Sequence, residues 1–235
     1  MAYRVGSAVA THTNSNSSTT VTVNGPTGVQ AGDIILLIEN SLGGTTSSVM
    51  SCSGFTYVAG GQTGGPAQGP SCTMAFLWKV AGASEPSTYS VTLNSANFNN
   101  YCVIAAAWTG RSATQVGASQ FTATAGTGSP VSVTLAGVTA AAGDDLIFFA
   151  CGNNGASNSW TPPTGFATAI NDIEPTSSWN TYLAYKNNAS AGATGSLVAV
   201  ETGVGVDNIG MVIALSIDPV TYDPITACFP IGYYE

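Results

Sequence analysis

The sequence predicts an all-β protein made of two tandem, duplicated β-sandwich domains of jelly-roll type, followed by an extended C-terminal tail. Two observations predict this fold. Short segments recur in the same order at a spacing of about 110 residues, and the apolar residues form runs of strand length bounded by Gly, Pro, Asn and Ser. No segment of ten or more residues has an apolar stripe at helical spacing.

The internal repeat extends along most of the chain. Its clearest pairs of segments are Val21-Thr22-Val23 with Val133-Thr134-Leu135, Ala31-Gly32-Asp33 with Ala142-Gly143-Asp144, Ser53-Gly54-Phe55 with Thr164-Gly165-Phe166, Leu77-Trp78-Lys79 with Ala184-Tyr185-Lys186, and Cys102-Val103-Ile104 with Met211-Val212-Ile213. The offset drifts only between 107 and 112 residues, as loop insertions and deletions would produce. We therefore predict domains at 1–110 and 111–219 and a tail at 220–235, each domain being long enough to bury its own core.

Apolar patterns within each copy predict about seven or eight strands. Continuous runs at 34–38, 102–108 and 146–151 indicate well-buried strands, whereas alternating stretches such as 20–23 and 131–135 indicate strands with one solvated face. Turn residues separate them. Asp33 and Asp144 stand at equivalent turns, and the longest predicted loop, 60–70, is too rich in Gly and Pro for regular structure.

The charge of the chain and the length of its apolar runs argue against two classes of partner, nucleic acid and membrane. The formal net charge is −8, and the four basic residues are spread over the sequence, so we expect no nucleic-acid binding. No apolar run approaches the roughly 18–20 residues that span a bilayer, so we expect no membrane insertion. The N-terminal residues contain no apolar signal-peptide core, which predicts synthesis as a soluble cytoplasmic product.

The five cysteines and the single histidine follow no metal-binding pattern, so we expect no metal and no other cofactor. Cys102 and Cys151 lie in apolar runs and are predicted to be buried thiols. Cys52 and Cys72 bracket the long loop and have no counterpart in the second copy. The sequence leaves two alternatives equally open: these two cysteines form a disulfide, or both remain free thiols.

Catalysis finds little support in the sequence. A nucleophile–histidine pair would need His12, which stands in a polar stretch of loop character. Of the carboxylates that are close in sequence, Asp144 and Asp145 include a repeated turn residue, and Asp172 and Glu174 have no motif beside them. Asp207 and Asn208 suit a turn better than a calcium site. We predict that the protein is not an enzyme.

The tail combines aromatic and aliphatic residues with two prolines, Pro224 and Pro230. Phe229, Ile231, Tyr233 and Tyr234 are costly to leave in water, because burying such a side chain contributes about 1.5–3 kcal/mol. Two explanations stay open. The tail folds back onto the second domain, or it reaches a neighbouring subunit and places these four residues in the interface.

One block resembles a known group of proteins. The sequence Leu-Trp-Lys-Val-Ala-Gly-Ala-Ser-Glu-Pro-Ser-Thr-Tyr-Ser-Val-Thr-Leu at 77–93, with the Ala-Gly-Asp and Ser-Gly-Phe turns and Ala-Ala-Trp-Thr-Gly at 106–110, resembles tailed-bacteriophage structural proteins built from repeated β-sandwich modules. The second copy matches more loosely and the tail is not covered. The resemblance implies a virion surface component such as a head decoration, fibre or tail-associated protein. It offers no catalytic residues.

Two functions follow as expectations. The first is a structural virion protein that acts by assembly, as a homo-oligomer (a trimer by analogy with fibres) in contact with other virion proteins. The alternative is an adhesin module that binds host-surface glycan through aromatic side chains, for which Tyr57, Trp160 and Trp179 are candidates. A packing role for each of these three aromatics stays open.

Overall fold

The computed structural model describes residues 4–13, 20–42, 50–57, 72–93, 100–109, 111–128, 131–153, 159–174, 179–202 and 205–217. These ranges contain strands, turns and bends, and no helix lies within them. The predicted all-β, sandwich-type class is therefore confirmed. The predicted loop at 60–70 and the tail at 220–235 lie outside the described residues.

Eight of the described strands lie in the first half of the chain and ten in the second. The first half contains β1 (Arg4–Thr13), β2 (Thr20–Asn24), β3 (Ile34–Leu42), β4 (Met50–Cys52), β5 (Thr56–Tyr57), β6 (Cys72–Val80), β7 (Thr88–Leu93) and β8 (Asn100–Trp108). The second half contains β9 (Arg111–Gly128), β10 (Val131–Leu135), β11 (Thr139–Ala140), β12 (Asp145–Asn153), β13 (Trp160–Thr161), β14 (Ala167–Glu174), β15 (Trp179–Lys186), β16 (Gly192–Ala193), β17 (Leu197–Glu201) and β18 (Gly205–Ile217).

Each half forms a large and a small sheet. The first half has a five-stranded sheet of order β1-β8-β3-β6-β5 and a three-stranded sheet of order β2-β7-β4. In the second half the corresponding orders are β9-β18-β12-β15-β14 and β10-β17-β13, and β11 and β16 form an additional pair. The two halves therefore share one strand order. Each ladder among the described strands joins strands of a single half, while the domain boundaries remain a prediction.

The large sheets are apolar on both faces. Side chains of a strand alternate between faces, so Ile34, Leu36 and Ile38 of β3 point to one side while Ile35 and Leu37 point to the other. All five are fully buried. Burial on both faces explains the continuous apolar runs in the sequence, because a strand with one solvated face would alternate instead.

Each half has a core of its own between its large and small sheets. In the first half, Val23 and Val91 of the small sheet pack with Leu37 and Ala105 of the large one. In the second half, Val133 packs with the cluster that contains Phe148, Val212 and Ala199. The small sheets alternate buried and exposed residues, as β2 does along its length, which confirms their predicted solvated face.

A third core joins the halves, and the repeat pattern did not predict it. The outer faces of the two large sheets pack against each other, and the rings of Phe76 and Phe149 meet edge to face with centroids 5.9 Å apart. The buried members of this shared core are Ile34, Leu36, Ile38, Met74, Phe76, Cys102, Ile104, Ala106 and Trp108 from the first half, with Ile147, Phe149, Cys151, Leu183, Ile209, Met211, Ile213 and Leu215 from the second. The sheets are layered small, large, large, small.

One buried polar contact crosses the shared core. The side-chain amide of Asn40 on β3 donates a hydrogen bond to the hydroxyl of Thr181 on β15 over 3.0 Å, and both residues are fully buried. A buried amide is costly to leave unpaired, so this bond favours one lateral position of the two sheets over others. Apolar packing alone is less directional.

Because both halves contribute to the shared core, a substitution in one half is expected to destabilise the other half as well. Phe149→Ala is expected to lower the free energy of unfolding by about 3–5 kcal/mol, because the vacated space is lined by both halves. Calorimetry should show one transition at a lower temperature, and hydrogen exchange should accelerate in β3 as well as in β12.

The matched control is Val198→Ala, a substitution at a side chain that is 39% exposed. It is expected to change stability by less than about 0.5 kcal/mol. Faster exchange in the second half only, after Phe149→Ala, would contradict a core common to both halves.

Candidate functional site

The Ala-Gly-Asp turn is built in the same way in both halves. The carboxylate of Asp33 accepts a hydrogen bond from the main-chain N–H of Gln30 over 2.7 Å. The carboxylate of Asp144 accepts one from the N–H of Ala141 at the same distance. Both aspartates are therefore structural turn residues, as predicted from their repetition, and Asp144 is committed to this turn.

The same turn also binds the segment that follows β6 in the first half and β15 in the second. Gly32 donates its N–H to the carbonyl of Ala81 over 2.9 Å, and Gly143 donates to the carbonyl of Ala189 over 2.8 Å. Both glycines have positive φ, 92° and 89°, a conformation that glycine adopts without strain. These paired bonds make Ala81 and Ala189 equivalent positions.

Next to this turn, the first half contains a closed polar cluster. The ammonium Nζ of Lys79 lies 2.9 Å from Oε2 of Glu85, and the hydroxyl of Tyr89 donates to the same oxygen over 3.1 Å. The main-chain N–H of Gly82 donates to Oε1 of Glu85 over 2.6 Å. Lys79 Nζ also lies 5.4 Å from the centroid of the Phe55 ring and 5.9 Å from that of Tyr89. We call these residues the Lys79 cluster.

The protonation states in this cluster are complementary. Burial alone would raise the pKa of Glu85, but hydrogen bonds from Lys79, Gly82 and Tyr89 together hold it below the usual 4.5. Burial, followed by the hydrogen bond to the Glu85 carboxylate, raises the pKa of Tyr89. Tyr89 is therefore a proton donor to an ionised Glu85 throughout the neutral range.

The two equivalent positions of the second half carry neither an acid nor a phenol. In the small sheets Val23 pairs with Tyr89 and Leu135 pairs with Leu197, so Leu197 stands where Tyr89 stands in the first half. Counting from the equivalent residues Ala81 and Ala189 places Ala193 at the position of Glu85. Lys186 is retained at the position of Lys79, because the two residues pair with equivalent positions of β3 and β12.

A cavity of about 350 Å³ lies at this place, and we call it the Lys186 cavity. Its wall includes Lys186 and the ring of Phe166, which is the counterpart of Phe55, together with the replacing residues Ala193 and Leu197. Hydroxyl-bearing residues complete it, namely Thr164, Ser190, Thr194 and Ser196. Within the described ranges, no carboxylate forms an ion pair with the half-buried Lys186.

The remaining carboxylates considered from the sequence are placed differently. Asp145 is fully buried and its Oδ1 accepts the main-chain N–H of Asn188 over 3.0 Å. Asp207 and Asn208 lie within strand β18, so their expected turn is wrong: their backbones pair with β9. The side chains of Asp172 and Glu174 lie outside the described ones. No group of three or more His, Cys, Asp or Glu in the described ranges is placed to hold a metal ion.

The backbone of His12 also departs from the expectation. The residue lies in strand β1 and pairs with Cys102 of β8, so the expected loop at this position is wrong. Strand β1 contains the β-branched residues Val5, Val9, Thr11 and Thr13, a residue type that is enriched in strands. The histidine side chain lies outside the described ones.

The cysteines are only partly described. Cys102 and Cys151 are buried in the shared core, as expected of small apolar thiols. Cys52 is half-buried, and burial raises the pKa of its thiol against the opposing effect of the Lys79 charge. The side chain of Cys72 lies outside the described ones, as do Phe229, Ile231, Tyr233 and Tyr234. The disulfide and the tail interface remain predictions.

Two of the candidate glycan-binding aromatics pack against the interior. Trp160 is 4% exposed, and its ring stacks on Tyr182 with centroids 6.0 Å apart. Tyr57 is half-buried against the first-half core. The side chain of Trp179 lies outside the described ones. In the described part of the chain no helix is both long and apolar enough to cross a membrane.

Comparison with known proteins yields little. No family model matches the sequence, and no curated protein matches it. Among solved structures, a β-porphyranase of glycoside hydrolase family 86 from the human gut bacterium Bacteroides plebeius aligns with a TM-score of 0.26 and 12% identity. The alignment covers 92% of this chain and 36% of that one. Similarity at this level carries no argument about fold or function.

The Lys79 cluster predicts a specific pH dependence. The lowered pKa of Glu85 means that its carboxylate stabilises the fold above pH 4.5 and that this stability is lost as the pH falls through the folded pKa. Glu85→Gln is expected to cost about 1–2 kcal/mol at pH 7, between the values for an exposed ion pair and for a hydrogen bond to a charge.

Chemical denaturation of both proteins at pH 7 and pH 3 measures this difference. The gap between wild type and Glu85→Gln should shrink from pH 7 to pH 3, because the stabilisation that accompanies a lowered pKa declines as the pH falls below 4.5. Lys186→Met serves as the matched control, because that lysine has no such partner among the described residues, and its effect should vary little with pH. A constant gap for Glu85→Gln would contradict the ionised cluster.

Proposed function

We propose that the chain is a structural protein of a bacteriophage virion surface, a head decoration, fibre or tail-associated subunit, and that it acts by assembly and not by catalysis. The block at 77–93, which carries the most distinctive part of the resemblance, supports this proposal. Its polar side chains Lys79, Glu85 and Tyr89 bind one another. The residues that carry the resemblance thus shape the fold.

The position of residues 77–93 in the fold also supports a structural role. Leu77 is buried in the first-half core, and Trp78 packs against the shared core on the opposite face of β6. The segment after Lys79 then returns to the small sheet through Tyr89, whose ring meets Phe55 edge to face at 5.2 Å. One continuous block therefore links both layers of the first half. A block that links both layers is expected of a structural module, and it supports the proposal.

The surface composition supports assembly through limited contacts. Charged residues are only 7% of the chain. The large apolar side chains that are exposed in the described ranges are Val80 and Val198, at 41% and 39%. Two such side chains do not make a broad apolar interface. We therefore assign subunit contacts to the tail, with a homo-oligomer, a trimer by analogy with fibres, and other virion proteins as partners.

The glycan-binding alternative has less support. It depended on aromatic side chains in loops, and Trp160 is instead a core residue stacked on Tyr182. A sugar ring needs an accessible aromatic face, which a side chain 4% exposed does not offer. The structural role therefore remains the better proposal.

The tail provides a direct test of assembly. Deleting residues 220–235 is expected to leave the melting transition unchanged and to convert the oligomer to a monomer, because Phe229, Ile231, Tyr233 and Tyr234 are assigned to the interface. Light scattering measures the mass and calorimetry the transition. The control is Asp223→Asn, which alters the tail without removing an aromatic anchor.

Two results would contradict this assignment. A full-length chain that remains a 23.6 kDa monomer at high concentration would argue against the oligomer. A truncated chain that melts much earlier would place the tail in the second-half core. The virion location is tested separately by antibody labelling of intact particles, and a protein absent from purified particles would overturn it.

A further inference from the structure

The two halves differ chemically at one equivalent place. In the first half, Glu85 and Tyr89 occupy the space beside Lys79, whereas Ala193 and Leu197 leave an open space beside Lys186. We propose that the Lys186 cavity binds a ligand that carries a carboxylate next to an aromatic ring. The ligand would supply the two groups that the chain itself supplies in the first half. This proposal does not depend on a virion role.

The carboxylate is inferred from the cationic side of the cavity. Lys79 holds a carboxylate at 2.9 Å, with the Gly82 N–H as a second donor at 2.6 Å. Lys186 keeps the cation, and Ser190, the counterpart of Gly82, lines the same cavity. Lys186 is half-buried as a residue, and a cation that is partly shielded from water gains more from an anion than a fully exposed one does, because less water screens the pair.

The ring is inferred from Phe166 and Leu197, which also line the cavity. Phe166 keeps the place of Phe55, whose ring meets Tyr89 edge to face in the first half. Leu197 is shorter than Tyr89 and leaves the space of a phenol unfilled. A volume of about 350 Å³ is within the range of small-molecule sites, so a six-membered ring with a short acidic arm fits it.

The hydroxyl groups of the cavity are consistent with a polar ligand. The hydroxyl of Thr194 accepts the N–H of Val138 over 3.0 Å and contacts the carbonyl of Gly195 at 3.1 Å, so it is fixed in orientation. The side chains of Ser190 and Ser196 are exposed at the rim. They add hydrogen-bond donors to the cavity lining. Neither carries a negative charge, which would repel an acid.

The test uses 4-hydroxyphenylacetate as the probe, because it joins a phenol ring to a carboxylate. Titration into the full chain, followed by amide chemical shifts, should perturb residues 163–166 and 186–198. The neutral 4-hydroxyphenylacetamide should bind at least about tenfold more weakly, as should glucuronate, which has the acid but no aromatic ring. Equal binding of the acid and the amide, or no shift at millimolar concentration, would overturn the proposal.

Variants separate the cavity from non-specific binding. Lys186→Met is expected to weaken binding of the acid about tenfold or more, whereas the matched Lys79→Met should leave the affinity unchanged. Ala193→Glu combined with Leu197→Tyr should rebuild the Lys79 arrangement, raise the melting temperature and abolish probe binding. Undiminished binding by either the Lys186 variant or the filled variant would contradict the assigned site.

The same chemistry has a source within this chain. Tyr234 is followed by Glu235 in the sequence, so a tail segment that reached the cavity would compete there with a free ligand. If the tail binds, Tyr234→Ala with Glu235→Gln should increase probe affinity in the full chain. Unchanged affinity assigns the cavity to an external aromatic acid. Both results support the acid-and-ring specificity, and loss of probe binding in this tail variant would contradict it.

Discussion

Burial of both faces of each large sheet is the constraint on which the rest of the structure depends. A strand presents alternate side chains to opposite faces, so β3 and β12 need apolar cover on two sides. The small sheets cover the inner faces, and the other half of the chain covers the outer ones. With about 1.5–3 kcal/mol for each large side chain buried, the shared core is too large to leave solvated.

The two halves share one main-chain arrangement and differ in the side chains outside their cores. The Asp33 and Asp144 turns and the paired bonds to Ala81 and Ala189 fix the same geometry twice. With that frame held by the main chain and the cores, side chains outside the cores are freer to change. The Lys79 cluster and the Lys186 cavity lie at equivalent positions of the two halves. The first is filled by side chains of the chain itself, and the second is open.

Much of the fold could be predicted from the sequence. The continuous apolar run at 34–38 and the repeated Asp33 turn predicted a buried strand and its start, because both depend on local pattern. The shared core could not be predicted, since periodicity tells that a face is buried but not what covers it. The difference at the Lys186 cavity could not be predicted either, because the equivalence of Leu197 with Tyr89 comes from strand pairing and that of Ala193 with Glu85 from the paired hydrogen bonds of Ala81 and Ala189. The strand at Asp207 was missed because its polar residues are typical of turns.

Separate expression of the two halves, residues 1–110 and 111–219, tests the central claim most directly. If the large sheets need each other, each half alone should exchange its β3 or β12 amides rapidly, bind a hydrophobic dye and self-associate, and mixing the halves should restore protection. The measurement is hydrogen exchange of each half alone and of the mixture. Two separately stable monomers that neither associate nor gain protection on mixing would contradict the account.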